Sequence, residues 1–308
     1  MNVRAAVLSL TLLLAGCASD GAGGASAEPP IRNAPSLTPS PPPFDPQTDR
    51  TEAVEGFVPS TFAVIGDFGT GDDRQRAVAR KMCAWRDKRP YDHVFTTGDN
   101  IYPDGDPGLF EERFFEPYDC LFRDDVKFHV SLGNHDIVMK SGLPQIRRKA
   151  FGIPRRNYVF REKGVRFVVA DSNDLNYRWL RKQTRAEAGD HWTIVLFHHP
   201  VYSGGTHGST PGFASTLRPL FERRGVDLVL NGHDHLYSVT RELKGIRYAV
   251  TGGGGARSYG CDNGGPPIAR CIVRLHFLHV RATATRLEVT VVPARGRPIH
   301  RFRTRGRA

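Results

Sequence analysis

Short apolar runs recur from about residue 60 to the end of the chain, and segments with helical spacing separate them. The strand-like runs are 61–65, 93–97, 127–132, 165–170, 193–197 and 226–230, and the helical segments are 74–85, 175–185 and 213–223. Later strand-like runs lie at 247–250, 272–280 and 287–292, and the last two alternate as a hairpin does. Strands that alternate with amphipathic helices predict an α/β domain.

Polar motifs begin where these apolar runs end. They read Gly66-Asp67, Gly98-Asp99-Asn100-Ile101-Tyr102, Gly133-Asn134-His135-Asp136, His198-His199 and Gly232-His233-Asp234-His235. In open α/β sheets, ligands bind outside the carboxyl ends of the strands, on loops that a rigid scaffold positions. One Gly-Asp turn or one histidine is weak evidence for a site, but the whole set predicts a shared one.

The side chains in these motifs suit metal ions. The candidate ligands are Asp67, Asp99, Tyr102, Asn134, His198, His233 and His235. Hard oxygen donors combined with imidazoles, and no thiolate, favour iron, zinc or manganese. Seven side chains are too many for one open catalytic site, whereas two sites that share a carboxylate use them all. Two-metal phosphoesterase sites hold ions about 3.5–4 Å apart and stabilise both the attacking and the leaving oxygen.

These motifs resemble those of the purple acid phosphatases, which belong to the calcineurin-like metallophosphoesterases. The resemblance covers residues 61 to about 255, and Tyr102, three residues after Asp99, is absent from most other metallophosphoesterases. It implies an α/β fold built as a four-layer α/β/β/α sandwich, in which helices flank two mixed sheets. The small, tartrate-resistant type fits best, because the proline-rich segment before residue 60 cannot form the β domain of the plant-type enzymes.

The resemblance also implies a ligand set for each metal. The first, an iron(III), is expected to bind Asp67, Asp99, Tyr102 and His235, and the second, a divalent iron, zinc or manganese ion, Asp99, Asn134, His198 and His233. Asp99 then bridges the two ions. Such a cationic centre attracts phosphate and lowers the pKa of bound water enough to give a nucleophile that attacks phosphorus in line.

The leaving oxygen needs a proton or a charged partner, and two histidines outside the ligand set are candidates. His135 follows Asn134, as the substrate-facing histidine does in the family motif. His207 lies nine residues after His198, the spacing of the mammalian-type enzymes, and the alternative is an exposed loop histidine. These two are the predicted catalytic residues.

Three neighbours of the ligands have less specific predictions. Asp136 either orients a histidine or forms a cap or turn. His199 is expected to pack or to form a hydrogen bond rather than to react. Asp234 points away from its neighbours if the segment is extended, so we expect it to face solvent or to cap.

The resulting functional hypothesis is dimetal hydrolysis of phosphate monoesters by an acid phosphatase. A phosphodiesterase or nuclease on the same centre is the first alternative, and a non-catalytic envelope lipoprotein on a spent enzyme scaffold is the second. Degenerate ligands would indicate the latter, but every ligand position is intact. No protein partner is inferred.

The chain begins with features of an export signal. Residues 1–16 contain Arg4 and an apolar segment too short to span a membrane, and Leu14-Ala15-Gly16-Cys17 resembles a bacterial lipobox. We therefore expect export to the cell envelope with a lipid anchor on Cys17, or else plain secretory cleavage nearby. Residues 17–59 are rich in proline, glycine and serine and are predicted to be a linker. The phosphoesterase domain is predicted over 60–294.

Export would place Cys83, Cys120, Cys261 and Cys271 in an oxidising space, where three disulfide pairings are possible. Cys261 with Cys271 is the first choice, because the two flank a loop rich in glycine and proline. The net charge is +11, and much of it lies in a predicted basic tail at 295–308 and in a mid-chain cluster at 147–161. A solvated surface or contact with anionic envelope components is favoured over nucleic acid, because no aromatic residues interleave with the arginines.

Overall fold

The computed structural model describes residues 57–305. The predicted signal peptide, Cys17 and all but the end of the predicted linker lie outside the described residues, as do the last three residues of the chain. Among the described residues, no helix has both the length and the apolar composition needed to cross a membrane.

Two mixed β-sheets form the centre of the molecule. The strands are β1 (Ser60–Ile65), β2 (His93–Thr96), β3 (Lys127–His129), β4 (Tyr158–Glu162), β5 (Val165–Val169), β6 (Trp192–Leu196), β7 (Leu228–Asn231), β8 (Tyr237–Thr240), β9 (Arg247–Thr251), β10 (Ile268–Ile272), β11 (His276–Ala282), β12 (Arg286–Pro293) and β13 (His300–Arg305). The first sheet has the order β13-β12-β11-β1-β2-β3 and the second the order β10-β8-β9-β7-β6-β5-β4. β1, β2 and β3 are parallel in one sheet, and β5, β6, β7 and β9 are parallel in the other.

Aromatic and branched side chains fill the space between the sheets. Phe62 and Phe95 of the first sheet meet Phe167 of the second, with ring centroids 4.8 and 4.0 Å apart. β5, β6 and β7 are buried along their whole length, as parallel strands covered on both faces must be. This inner core holds both sheets in a fixed relation and so positions the loops at their ends.

Helices cover the outer faces. They are α1 (Asp73–Arg86), α2 (Asp119–Arg123), α3 (Leu143–Arg147), α4 (Tyr177–Gln183) and α5 (Phe213–Arg224). α1 begins at the cap residue Asp72, which accepts two backbone N–H groups, and its Trp85 ring packs on Phe277 of β11. On the other side, Leu180 of α4 and Leu217 of α5 belong to a second core with the outward side chains of β5 to β7. The predicted four-layer sandwich is confirmed.

The strands with the strongest apolar runs lie within a few residues of their predicted positions, whereas the run 272–280 is divided. Its first residue ends β10 in the second sheet, and β11 starts at His276 in the first. Three residues, 273–275, carry the chain from one sheet to the other. Because apolar side chains occur on both sides of this crossing, the sequence looks like one continuous strand.

The predicted basic tail at 295–308 requires correction. Residues 300–305 form β13, which pairs antiparallel with β12 at the edge of the first sheet. Phe302 and Thr304 point inward and are buried, while Arg303 is exposed and forms an ion pair with Glu288 of β12 at 3.0 Å. The domain therefore extends past its predicted end at 294, and arginines on an edge strand discourage pairing with further strands.

Two disulfides link the four described cysteines. One joins Cys261 to Cys271, as predicted, and the other joins Cys83 of α1 to Cys120 of α2. The Cys83–Cys120 bond connects the long helix of the outer layer to the turns that follow β2. The Cys261–Cys271 bond closes the loop between β9 and β10.

Candidate metal centre

All seven predicted ligands lie on loops at the carboxyl ends of parallel strands. Asp67 follows β1, Asp99 and Tyr102 follow β2, Asn134 follows β3, His198 follows β6, and His233 and His235 follow β7. β1 to β3 belong to the first sheet and β6 and β7 to the second. The site therefore lies where the ends of the two sheets meet.

Tight turns bring these side chains close together. Asp67, Asp99 and His233 adopt positive φ angles of 58°, 54° and 74°, which non-glycine residues rarely do. Gly98, at a φ of 95°, leaves no room for a side chain, since a Cβ there would lie 2.6 Å from Nδ1 of His198. Gly232 is under the same constraint, because its Cβ would lie 2.5 Å from Oδ2 of Asp67. The glycines in the motifs thus allow the ligand loops to pack against one another.

The first group of side chains is Asp67, Asp99, Tyr102 and His235. The Tyr102 hydroxyl lies 3.0 Å from Oδ2 of Asp99 and 3.0 Å from Nε2 of His235. Nε2 of His235 is also 3.5 Å from Oδ1 of Asp67. One donor atom each from Asp67, Asp99 and His235 lies within 4.8 Å of the other two.

The second group is Asn134, His198 and His233, next to Asp99. Oδ1 of Asn134 lies 2.9 Å from Nε2 of His198 and 3.1 Å from Nδ1 of His233, and these two ring nitrogens are 3.3 Å apart. Nε2 of His198 is 3.5 Å from Oδ2 of Asp99. Asp99 therefore lies between the two groups, and each group takes ligands from both sheets.

Backbone carbonyls determine which nitrogen of two imidazoles faces the centre. Nδ1 of His198 donates to the carbonyl of Thr97 at 2.8 Å, and Nδ1 of His235 donates to the carbonyl of Arg257 at 2.7 Å. Each Nε2 therefore presents a lone pair toward the centre, as metal-binding histidines do. Burial lowers the pKa of His198, and burial together with neighbouring histidines lowers that of His233 to about 3, so the rings stay neutral.

The centre has more lone pairs than protons. The single proton of the Tyr102 hydroxyl can serve only one of its two partners. Nε2 of His198, whose proton is on Nδ1, faces the amide oxygen of Asn134 at 2.9 Å. Burial and the nearby Asp99 carboxylate raise the pKa of Asp67. Cations between these atoms would bind the lone pairs that lack a proton and would balance the buried carboxylates. The donor set therefore fits two metal ions.

Asp136 has a structural role. It is fully buried, and it accepts the backbone N–H groups of Asn100, Ile101 and Gly133 at 2.8–3.1 Å together with the side-chain amides of Asn100 and Gln145. None of these donors is a histidine. The expected role in orienting a histidine is therefore not seen, and Asp136 instead joins the β2 and β3 loops that carry Asp99 and Asn134.

Asp234 is fully buried, although the sequence predicted a solvent-facing or capping side chain. Its side chain accepts the backbone N–H of His207 at 2.9 Å and the hydroxyl of Ser203. The segment does direct Asp234 away from its neighbours, but the loop 203–208 covers that face. His199, as expected, forms a hydrogen bond, with its Nδ1 2.9 Å from the Ser172 hydroxyl oxygen.

Both predicted catalytic histidines lie beside the ligand groups. The His135 ring lies 4.5 Å from the Tyr102 ring, its Nδ1 donates to the carbonyl of Pro103 at 2.5 Å, and its backbone N–H donates to Asp99. His207 is exposed, and its ring centroid is 4.7 Å from that of His233. The two histidines thus stand beside different ligand groups.

Tyr259 is a site residue that the sequence did not indicate. Its ring stacks on that of His235 with centroids 4.3 Å apart, and it meets His207 edge-on at 4.9 Å. It lies in a glycine-rich loop between β9 and β10, four residues after a run of glycines. No local pattern marks it, because only the folding of this loop back over the centre brings the ring there.

A two-sheet sandwich with paired oxygen and nitrogen donors at the ends of its strands is characteristic of metal-dependent phosphoesterases. The chain belongs to the calcineurin-like phosphoesterase family, whose signature matches residues 60–237. Membership identifies it as a phosphoesterase hydrolase and implies two metal ions.

Relatives similar in sequence include plant purple acid phosphatases and a mammalian tartrate-resistant acid phosphatase. The chain is 28% identical to purple acid phosphatase 7 of Arabidopsis thaliana over 63% of its own length and 70% of the relative's. It is 27% identical to tartrate-resistant acid phosphatase type 5 of Mus musculus over 63% of its own length and 72% of the relative's.

Solved structures share the fold at lower identity. A purple acid phosphatase from yellow lupin seeds matches with a TM-score of 0.68 and 16% identity, over 80% of this chain and 54% of that one. GAP50, described as the anchor in the inner membrane complex of Plasmodium, matches with a TM-score of 0.67 and 17% identity. The match covers 81% of this chain and 90% of that one. Because proteins with such different descriptions share this fold, the fold alone does not assign an activity.

Proposed function

We propose that this chain is a phosphomonoesterase of the purple acid phosphatase type, with an iron(III) and a divalent iron, zinc or manganese ion. The observation that carries the proposal is the Tyr102 hydroxyl, 3.0 Å from both Asp99 and His235 within the first ligand group. A phenol oxygen at this position suits a hard trivalent ion. The named relatives, all acid phosphatases, support the same conclusion.

In this proposal the first group holds the trivalent ion and Asn134, His198 and His233 hold the divalent one, with Asp99 shared. When bound, the ions neutralise the phosphate and lower the pKa of water. The protein holds the imidazole lone pairs inward through Thr97 and Arg257, and it keeps the loops together through Asp136. These contacts preorganise the centre, so little rearrangement is needed when substrate binds.

His135 and His207 are proposed to serve the departing oxygen. His135 is tied to Pro103 by its Nδ1, so Nε2 is the ring atom left for substrate. His207 is exposed beside His233 and can reach an ester bound at the centre. As an imidazolium, it would transfer a proton to the oxygen while the phosphorus–oxygen bond breaks.

A phosphodiesterase or nuclease on the same centre is the second candidate, and a basic depression on the outer helical layer favours it. Trp179 and five cationic side chains line the depression, namely Arg178, Arg181, Lys182, Arg185 and Arg224. No carboxylate lines it among the described residues. A cluster of cations of this kind attracts a polyanion through contacts with its phosphates.

The test combines substrates, colour and metal content of the purified protein. The proposal predicts faster release of phosphate from a simple monoester than from a bis-ester or single-stranded DNA, with two metal ions per chain and a tyrosinate-to-iron(III) band in the visible spectrum. A strong preference for diesters would favour the second candidate. A colourless, active, zinc-only enzyme would contradict the iron assignment.

A non-catalytic scaffold remains the third reading of the sequence, and an Asp99→Asn variant tests it. The substitution should reduce phosphate release by about 10²-fold, because the amide lacks the charge and the second carboxylate oxygen with which Asp99 would serve both ions. If release is unchanged, this centre is not the catalyst.

We also propose export to the cell envelope with a lipid on Cys17. The support is the sequence Leu14-Ala15-Gly16-Cys17 after a short apolar segment, which lies outside the described residues.

A further inference from the structure

The loop 203–208, which carries His207, rests on the buried side chain of Asp234. Oδ1 of Asp234 accepts the backbone N–H of His207 at 2.9 Å, and Oδ2 accepts the hydroxyl of Ser203. The approach is so close that a Cβ at Gly205 would lie 2.4 Å from Cγ of Asp234. The Asp234 carboxylate therefore holds one side of this loop beside the centre.

A second loop holds the other side of 203–208. The backbone N–H of Asn263 donates to the carbonyl of Gly204 at 3.0 Å, and its side-chain amide donates to the carbonyl of Gly205 at 2.6 Å. The hydroxyl of Thr206 donates to Asp262 at 2.5 Å. The Cys261–Cys271 disulfide ties this second loop to β10. The His207 loop is thus clamped between Asp234 and a covalently closed loop.

The result is a defined place for the exposed imidazole of His207. Its ring lies 4.7 Å from that of the predicted ligand His233 and 4.9 Å from that of Tyr259. Asp234 stands between His233 and His235 in sequence. The segment that carries two predicted ligands therefore also sets the distance from the centre to this imidazole.

We propose that Asp234 is a positioning residue for His207. By accepting the His207 N–H and the Ser203 hydroxyl, it holds the imidazole at the departing oxygen of the substrate. This inference rests on the proposed function, in which the His207 imidazolium gives its proton to that oxygen. The oxygen keeps the electron pair of the breaking phosphorus–oxygen bond, and the imidazole is left neutral.

The test is a double-mutant cycle between Asp234→Ala and His207→Ala in the metal-loaded enzyme, with ethyl phosphate and p-nitrophenyl phosphate as substrates. Each single variant should lower kcat for ethyl phosphate by about 10²-fold, and for p-nitrophenyl phosphate by much less, because nitrophenolate departs without a proton. In the His207→Ala enzyme, adding Asp234→Ala should lower kcat for ethyl phosphate by a further factor of less than about two. Asp234→Asn, which keeps an acceptor for the His207 N–H, should recover most of the activity.

The control is Asp227→Asn, a buried carboxylate before β7 that accepts the backbone N–H of Thr193 away from the centre. It should affect both substrates equally. If Asp234→Ala does not fold, Gly205→Ala replaces it in the cycle, because the added Cβ would lie 2.4 Å from Cγ of Asp234 and so force the same loop away from that carboxylate.

Distinct outcomes separate the possible failures. Multiplicative effects of Asp234→Ala and His207→Ala, equal losses with both substrates, or loss of metal from the Asp234→Ala enzyme would overturn the positioning role. A His207→Ala enzyme with unchanged kcat would overturn it as well. If the unaltered protein releases no phosphate from either substrate, the proposed function itself fails.

Discussion

At the scale of single residues, Tyr102 distinguishes this centre from an ordinary dimetal site. Its hydroxyl is shared between Asp99 and His235, and burial together with the carboxylates of Asp67 and Asp99 raises its pKa. The phenol would therefore stay protonated without a strongly charged ion beside it. In the proposed centre, a trivalent ion would supply the field that makes a tyrosinate, because a coordinated cation reverses the local pKa order.

A Tyr102→Phe variant should keep two metal ions, because the remaining predicted ligands are intact, but it should lose the visible absorption band completely. Absorption spectroscopy with metal analysis checks both points. Tyr259→Phe is the matched control, since Tyr259 stacks on His235 and is not a predicted ligand, and it should keep the colour. A Tyr102→Phe enzyme that remains coloured would show that the tyrosinate assignment is wrong.

The convergence of the seven predicted ligands could be foreseen because their motifs begin where apolar runs end, where a polar side chain has few structural reasons to recur. Other residues of the centre could not. Thr97 and Arg257 act through backbone carbonyls, which no side-chain pattern reveals, and Tyr259 arrives through loop folding. Asp234 was mispredicted because alternation indicates which way a side chain points, but not that another loop covers that side.

At the scale of secondary structure, the buried parallel strands were predictable and the marginal strands were not. β4 and β13 carry charged residues at an edge, and β8 follows the His233 motif so closely that the sequence shows no separate run. β13 has arginines at alternate positions, and such a charged sequence resembles a solvated tail. The buried Phe302 and Thr304 between the arginines are what indicate a strand. Edge strands gain their stability from one neighbour, so their sequences are less constrained.

The loop closed by Cys261 and Cys271 should be a stability element as well as a support for the site. A Cys261→Ser/Cys271→Ser variant is expected to lose about 3 kcal/mol of unfolding free energy in the chain-entropy account of a loop of this length. Denaturant unfolding measures it. This variant should also lose kcat for alkyl phosphates, because the closed loop clamps the His207 loop.

The Cys83→Ser/Cys120→Ser variant is the comparison. Its loop is longer, with a sequence separation of 37 against 10, so the loss of stability should be larger. Its effect on kcat should be smaller, since α1 and α2 lie in the outer layer. The reverse order of the two kcat effects would contradict the clamp.

At the scale of the whole molecule, both ligand groups draw on both sheets. Asp99 comes from the first sheet and His198, His233 and His235 from the second, so bound ions would link the two layers. Removal of metal with a chelator should lower Tm, and each site at a metal concentration of 100 times its Kd contributes about 2.7 kcal/mol. Calorimetry with and without metal measures the shift. In an Asp99→Asn protein, the chelator should lower Tm by much less. A Tm shift equal to that of the unaltered protein would show that the stabilising ions bind elsewhere.

The proposed lipid anchor is a second property of the whole chain. A Cys17→Ser variant, expressed in a bacterial host with a lipoprotein pathway, should move from the membrane fraction to the soluble fraction and lose incorporation of labelled fatty acid. Export should continue, because the apolar segment before Cys17 is unchanged. Unaltered fractionation would indicate that the chain is held at the membrane by other means, or that Cys17 carries no lipid.

The division of each ligand group between the two sheets also bears on the order of folding. Asp67 and His235 are separated by most of the domain, so no local segment can chelate an ion with the full set. Contacts between residues so distant along the chain are costly to close and form late. Uptake of metal during refolding should consequently lag behind the return of helix and strand, and the appearance of colour would time the moment when the two sheets join.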